Sequence, residues 1–240
     1  MTHRRIRLDA RLSAVAAQVR DGITLYDVGT DHAYLPVFLA EQGRISRAIA
    51  SDVAEGPLAS AVETVSAAGL THQIETALSD GLQSVTLIPP CDVVMAGMGG
   101  DLMIRILSDK PEIKQGDIRL ILQPMTKQEH VRRYLSENGF AIEAELVAEE
   151  GKLYEILVCR YTGVPYALTE EELLVGRRQV RREDPLFYRM VDRKRQALGR
   201  AVAGKRRGGE TTGSEEALME ALDHIRIQEK ENDHDGCKSI

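Results

Sequence analysis

Acidic and glycine residues cluster directly after two apolar runs near the start of the chain. The first run leads into residues 26–32 (YDVGTDH), and the second ends at Ser51 and Asp52. In an open parallel sheet, ligands bind in the crevice outside the carboxyl ends of the strands. An acidic residue after the second strand is the usual partner of ribose hydroxyls in nucleotide-binding folds. The two segments together predict the two ends of a site for one adenosine-containing ligand.

Each of these segments also has a purely structural interpretation. Gly29 could form a turn, with Asp31 as the cap of the next helix, and Asp52 could cap the helix after it. The pair Asp80-Gly81 follows a third predicted strand, and such pairs are usually only turns. At the same sheet edge, however, Asp80 could accept a hydrogen bond from an adenine amino group.

A fourth apolar run ends in residues 96–100 (AGMGG), where three glycines predict tight or close backbone approaches. This spacing is not the GxGxxG dinucleotide fingerprint, and the chain contains no P-loop, HExxH or GxSxG motif. These absences argue against nicotinamide-dependent redox chemistry and exclude P-loop hydrolysis of nucleotides. His32 is the only histidine inside a candidate site, and a single histidine there is more often structural than catalytic.

Alternating strand-like and helix-like segments must position these residues, and they predict βαβ units around a parallel sheet. The strand-like runs cover residues 23–28, 47–50, 93–96 and 120–122, and the helical patterns cover residues 57–68, 102–107 and 127–138. Thr126 with Glu129 predicts a capping box, and Asn138-Gly139 predicts the end of that helix. Residues 140–147 and 153–161 are two strand-like runs separated by five residues. So short a connection predicts an antiparallel hairpin at the end of the sheet.

The pattern becomes wholly helical after a boundary near residues 163–169. Thr169 and Glu172 predict a second capping box, and two apolar stripes separated by a glycine-rich turn predict a helical hairpin resembling a coiled coil. We therefore predict an α/β, Rossmann-like domain over residues 1–163 and a helical domain over residues 164–240. The formal net charge of −6 hides a strong asymmetry, because residues 177–207 hold 12 basic and 3 acidic side chains.

Composition narrows the class of protein further. The chain has 240 residues, 43% of them hydrophobic and 28% charged, which is typical of a globular protein. It has no apolar run long enough for a membrane span, and no apolar segment follows its basic start as in a secretory signal. Three dispersed cysteines form neither a disulfide framework nor a zinc motif and are typical of a reducing cytoplasm. We expect a cytoplasmic protein without a metal, and favour a monomer.

The segments DVGTDHAYLP (residues 27–36), AGMGG (96–100), LILQP (120–124) and EEGKLYE (149–155) resemble the signatures of the bacterial tRNA (adenine(22)-N1)-methyltransferase family. That family belongs to the class I S-adenosylmethionine-dependent methyltransferases. The resemblance covers about residues 8–160 and continues loosely into the helical part. It implies a seven-stranded, mostly parallel sheet and methyl transfer from S-adenosylmethionine to N1 of an adenine in the D-arm region of tRNA. The chain lacks the GxGxG of the wider superfamily, but its first loop agrees with the narrower family.

By position, the resemblance implies roles for particular residues. The first loop would hold the methionine part of the cofactor, Asp52 the ribose and Asp80 the adenine. Asp31 would either stabilise the cationic product or only position the cofactor, and Gly97 and Met98 would line the place where the target adenine meets the methyl group. The complete set of cofactor-binding residues implied is Asp27, Gly29, Thr30, Asp31, His32, Asp52, Asp80, Gly81, Ala96 and Gly97.

The basic side chains are candidates for contacts with tRNA phosphates. The predicted set is Arg7, Arg11, Arg177, Arg178, Arg181, Arg182, Arg193 and Arg195. Such a charge run is often only a solvated helix face. Two alternatives therefore stay open: a methyltransferase of the same fold acting on a small molecule or another RNA, and a non-catalytic RNA-binding protein with a vestigial pocket.

Overall fold

Seven strands form one sheet in the computed structural model, which describes residues 5–181 and 184–236, without the side chains of residues 178, 185 and 226–236. The sheet order is β3-β2-β1-β4-β5-β7-β6, and the pairs among β1–β5 are parallel. The strands are β1 (Thr24–Val28), β2 (Arg47–Asp52), β3 (Ile74–Leu78), β4 (Cys91–Met98), β5 (Ile118–Pro124), β6 (Phe140–Glu150) and β7 (Lys152–Tyr161). This is the predicted Rossmann-like architecture.

Helices cover both faces of the sheet. Their positions are α1 (Ala10–Ala16), α2 (Tyr34–Glu41), α3 (Glu55–Ala67), α4 (Gly100–Ser108), α5 (Gln128–Glu137), α6 (Glu170–Val175), α7 (Pro185–Arg207) and α8 (Gly213–Gly236). Helices α1, α2 and α3 bury their apolar side chains with one face of the central strands, and α4 and α5 do so with the other. Residues such as Val93 and Val94 are fully buried on opposite faces, which explains the continuous apolar runs of these strands.

The predicted hairpin is confirmed and is longer than the sequence suggests. Strands β6 and β7 pair in antiparallel fashion from Phe140 with Tyr161 to Glu150 with Lys152, so that Gly151 alone connects them. Strand β7 also pairs with β5. Its amino end therefore lies beside the carboxyl end of β5, at the edge where the other parallel strands end.

One predicted capping box is confirmed and the other is wrong. The Thr169 side chain accepts from the Glu172 amide, and the Glu172 side chain accepts from the Thr169 amide. Helix α5 instead begins after Lys127, which is left-handed with φ 57° and makes no side-chain cap. The Thr126 carbonyl accepts from the Gly100 amide, so packing against the β4–α4 turn determines this helix start.

The C-terminal helices form the predicted antiparallel hairpin. Arg195 pairs with Asp223, Lys205 with Glu215 and Arg206 with Glu216, so the two helices run past each other in opposite directions. Their apolar stripes bury Met190, Val191 and Leu222 together with Val147 of the sheet. The helical part is thus packed directly onto β6.

Candidate functional site

The loops after β1 and β4 meet at the carboxyl edge of the sheet. Gly29 has φ 74°, and a side chain placed on it would come within 2.8 Å of Cε of Met98. A left-handed backbone in such close contact favours glycine. The two predicted loops are therefore brought together, with Gly29 and Met98 at their point of contact.

Asp27 is a buried carboxylate at the end of β1. Its Oδ2 accepts a hydrogen bond of 2.6 Å from the Thr30 hydroxyl. Burial, with a smaller contribution from the nearby Asp52, raises the pKa of Asp27 from 3.8 to about 6 against the opposing effect of the Thr30 hydrogen bond. The first loop thus holds a charge that costs free energy to maintain, which is characteristic of groups placed for binding or catalysis.

Asp31 and His32 lie on the solvent side of the same loop. The Asp31 side chain is 68% exposed, its backbone is left-handed with φ 51°, and its Oδ2 lies 3.6 Å from Nε2 of His32. The His32 ring stacks on Tyr34 with centroids 5.1 Å apart. Helix α2 is capped by Ala33 and not by Asp31. The interpretation of Asp31 as a helix cap is therefore wrong, and its carboxylate is exposed beside His32.

The second and third acidic residues also lie at this edge. Asp52 is half-buried and uses Oδ1 to accept from the Ala54 amide, whereas Oδ2 has no partner among the described residues. Helix α3 is capped by Ala54, so Asp52 does not cap it directly. Asp80 accepts two hydrogen bonds from Arg105, of 3.0 and 2.7 Å. Its oxygens keep further lone pairs for a ligand.

Three side chains that the sequence did not place at the carboxyl edge of the sheet converge on the loop at the end of β4. Nη1 of Arg11 donates to Oε1 of Gln123 over 2.9 Å, and it lies 3.6 Å from the position of a side chain on Gly97. The Arg11 guanidinium also lies 5.7 Å from the Tyr154 ring centroid. Gln123 and Tyr154 belong to the LILQP and EEGKLYE segments, which were the available signal. Arg11, predicted as a phosphate contact, lies at the site itself.

The predicted basic surface is only partly present. Arg181 is wrong as a phosphate contact, because its side chain is 3% exposed and pairs with buried Glu145 over 3.1 Å. Arg7 and Arg193 are exposed, Arg177 lies over the Tyr166 ring, and Arg195 pairs with Asp223. Arg182 and the side chain of Arg178 lie outside the described residues.

The raised pKa of Asp27 predicts how the stability of the folded protein depends on pH. Because its pKa is raised in the folded state, Asp27 contributes stability below pH 3.8 that is lost as the pH rises through about 6. We expect Asp27→Asn to gain about 3 kcal/mol relative to the wild-type protein between about pH 4 and about pH 7. Urea unfolding at a series of pH values measures this difference.

The isosteric change Thr30→Val is the companion variant. It removes the hydrogen bond that favours the ionised carboxylate, so it should destabilise the protein by about 1–3 kcal/mol above pH 6 and much less below pH 4. Parallel stability curves for all three proteins would show that Asp27 is not the group responsible.

Two kinds of site are absent from the part of the chain that the structure describes. Within it, no helix is long and apolar enough to cross a membrane. The same residues contain no group of three or more histidine, cysteine or acidic side chains arranged to hold a metal ion.

Comparison with known proteins identifies the family. Residues 8–157 match the model of a methyltransferase domain. The tRNA (adenine(22)-N(1))-methyltransferase of Bacillus subtilis is 30% identical over 95% of this chain and 98% of its own length. The chain belongs to the bacterial tRNA (adenine(22)-N1)-methyltransferase family. The resemblance drawn from the motifs is confirmed.

Solved structures of this tRNA methyltransferase family agree with the fold. The Streptococcus pneumoniae protein Sp1610, a putative tRNA (m1A22) methyltransferase in complex with S-adenosyl-L-methionine, superposes with a TM-score of 0.79 at 34% identity. The match covers 91% of this chain and 99% of that one. The Bacillus subtilis enzyme superposes with a TM-score of 0.76 at 28% identity, over 94% and 98% of the two chains. Members of the tRNA methyltransferase family thus share both the sheet and the C-terminal helices.

Proposed function

We propose that this chain transfers a methyl group from S-adenosylmethionine to N1 of adenine 22 of a tRNA. The observation that carries the proposal is the meeting of the Asp27–Gly29 and Gly97–Met98 loops at one sheet edge, in a chain of this family. The edge also presents Asp52 next to β1, because Ser51 is in register with Val28.

The residues at this edge suit the cofactor. Asp27 supplies a negative charge for the methionine ammonium group, and the bare backbone at Gly29 leaves room for close approach. Asp52 keeps one carboxylate oxygen for the ribose hydroxyls, and Asp80 can still accept from the adenine amino group. S-adenosylmethionine, when bound, supplies an electrophilic methyl group on a sulfonium.

Adenine N1 needs little help from a base, because its lone pair lies in the ring plane and is available without deprotonation. The rate should therefore come mainly from alignment of the reacting atoms. The methylated ring carries a positive charge near neutral pH, and a fixed carboxylate beside it stabilises that charge as it develops. We assign this role to Asp31, whose exposed carboxylate follows the first loop. Gly97 and Met98 line the place of the target base.

The tRNA would approach over the basic surface that remains once Arg181 is set aside. Arg7 and Arg193 are its exposed candidates, whereas Arg195 is paired with Asp223 and Arg177 lies over the Tyr166 ring. Phosphate contacts of this kind position a nucleic acid without reading its sequence. The target adenine has to leave its stack to reach the β4 loop, so base flipping is part of the proposal.

A direct assay tests this function. Purified protein, methyl-labelled S-adenosylmethionine and an unmodified bacterial tRNA transcript should give labelled 1-methyladenosine on nucleoside analysis. The matched control is the same transcript with guanine in place of adenine 22, which should stay unlabelled. Label on the exocyclic amine, or equal label in both transcripts, would contradict the assignment.

Methylation of a small molecule by the same site is the second candidate. Deleting the helical part is not a clean way to separate the two, since Arg132, Glu145 and Glu155 of the sheet domain are buried against it. Truncation would expose these charges and the apolar surface around Val147. Replacing exposed arginines in the intact chain is a better way to distinguish methylation of tRNA from methylation of a small molecule.

A further inference from the structure

A cavity of about 280 Å³ lies between the β5–α5 loop, the amino end of β7 and helix α7. Its apolar walls come from Met125, Leu153, Met190 and Ala197. Methionine side chains are flexible and polarisable, so they adapt to flat ring systems. The cavity therefore has the kind of surface that a base can contact through its faces.

The rim of this cavity is positively charged. Lys152 and Arg193 are exposed there, and within the described residues neither has a carboxylate partner. The neighbouring cations differ, because Arg189 pairs with Glu149 over 2.6 Å and Lys194 with Glu155 over 2.5 Å. Two cations without a carboxylate partner, one of them over the Tyr154 ring, beside a cavity with partly apolar walls favour a ligand with phosphate and a flat ring.

Tyr154 connects the cavity to the proposed methylation site. It lines the cavity, and its ring lies 5.7 Å from the guanidinium of Arg11. Arg11 in turn lies beside Gly97, where the target adenine is placed by the proposed function. Tyr154 and Arg11 thus form a line of contacts from the cavity to the β4 loop, which is the direction in which a nucleotide next to the target would lie.

We propose that this cavity binds the base of a nucleotide adjoining the target adenine, with Lys152 and Arg193 contacting its phosphates. The inference rests on the proposed tRNA methylation and names a second subsite for the same substrate. It gives α7 a specific function, which is to form one wall of a nucleotide site, besides contributing general positive charge.

Filling the cavity tests the proposal. Ala197 is an exposed residue of α7, so Ala197→Phe can occupy the cavity without disturbing the core. We expect the KM for tRNA to rise about tenfold, with the Kd for S-adenosylmethionine changed less than about twofold. The matched control is Ala201→Phe, one helical turn along, at an exposed alanine that does not line this cavity. It should leave the KM for tRNA nearly unchanged.

Arg193→Ala provides a second variant that does not depend on cavity filling. We expect it to raise the KM for tRNA about fivefold, whereas Arg200→Ala, at another exposed arginine of α7, should have a much smaller effect. Equal losses for the two arginines would indicate a general phosphate contact along the helix and would overturn the cavity proposal.

Two tRNA transcripts, each with an abasic site on one side of the target adenine, identify the base that occupies the cavity. On the transcript that lacks the bound base, Ala197→Phe should not raise the KM for tRNA further, because the cavity has already lost its ligand. The same cost on intact and both abasic transcripts would overturn the inference while tRNA methylation stands. Absence of tRNA methylation by the wild-type protein would overturn both proposals together.

Discussion

Replacing Arg132 with alanine should lower the free energy of unfolding by about 4 kcal/mol. Arg132 is fully buried, and its Nη2 donates to Glu145 over 2.7 Å and to Glu155 over 2.6 Å. Removing Arg132 leaves Glu145 paired with Arg181 and Glu155 paired with Lys194, but it breaks two buried ion pairs in a medium that solvates charges poorly. Each glutamate would lose one of its cationic partners, and the carbonyls of Leu173 and Leu174 would lose the Arg132 donor.

The network also joins the two parts of the chain. Arg132 donates to the backbone carbonyls of Leu173 and Leu174 in α6, and Lys194 of α7 pairs with Glu155. The guanidinium and ammonium groups lower the pKa of Glu155 from 4.5 to about 2. Glu155 thus contributes stability above pH 4.5 that is lost as the pH falls through about 2. The lower stability of Arg132→Ala should therefore be accompanied by faster hydrogen exchange in α6 and α7.

Arg133 is the matched control for this experiment. It is the next residue in α5, but its pair with Glu170 is exposed, and exposed pairs contribute about 0–1 kcal/mol. Urea unfolding should therefore separate Arg132→Ala clearly from Arg133→Ala. Similar losses in the two variants would mean that the buried network does not stabilise the fold as described.

Replacing Asp31 with asparagine should reduce kcat about 100-fold or more, with little change in the Kd for S-adenosylmethionine. The proposed role of Asp31 is to oppose the positive charge that develops on the adenine ring, and asparagine keeps the shape without the charge. Asparagine is also the suitable variant because Asp31 has φ 51°, a conformation that asparagine tolerates better than alanine.

The two roles of Asp31 left open by the sequence are separated by this variant. If Asp31 only positions the cofactor, its substitution should raise the Kd for S-adenosylmethionine by the same factor as it lowers kcat/KM. Calorimetry of cofactor binding and single-turnover methylation of tRNA measure the two effects independently. Unchanged turnover would remove Asp31 from the mechanism altogether.

The sequence predicted the sheet well, because each central strand is buried on both faces and is therefore a continuous apolar run. The hairpin followed from the short connection around Gly151, and α6 from the Thr169 capping box. Helix α1 was missed, since it has only seven residues and two buried side chains. A helix this short has little periodicity of its own.

The buried ion network could not be predicted for a definite physical reason. Strict alternation along β6 from Phe140 and Ile142 would place Glu145 on the outer face, together with Glu143. A bulge between Ile142 and Ala144 shifts the register by one residue and turns Glu145 inward. Such a shift reverses the face of every later side chain. It also explains why Arg181, the partner of Glu145, is buried and unavailable to phosphates.

The sequence predicted those residues of the candidate site that lie on one loop at the end of a strand. It missed the contacts that join segments far apart in the chain. Gly29 follows β1, and Asp52 and Gly97 lie at the carboxyl ends of β2 and β4, which must lie together in a parallel sheet. Arg11 and Gln123 are 112 positions apart, and their hydrogen bond depends on how α1 crosses the edge of the sheet. No local pattern encodes that contact.

The single antiparallel strand has a consequence for which part of this sheet edge can change without disturbing the core. Because β7 enters the sheet in reverse, it brings Tyr154 to the catalytic edge directly after a tight turn at Gly151. Turns tolerate changes of length and composition that a core strand does not. Substitutions at this turn can therefore alter the surface beside Tyr154 while strands β1 to β4 stay intact.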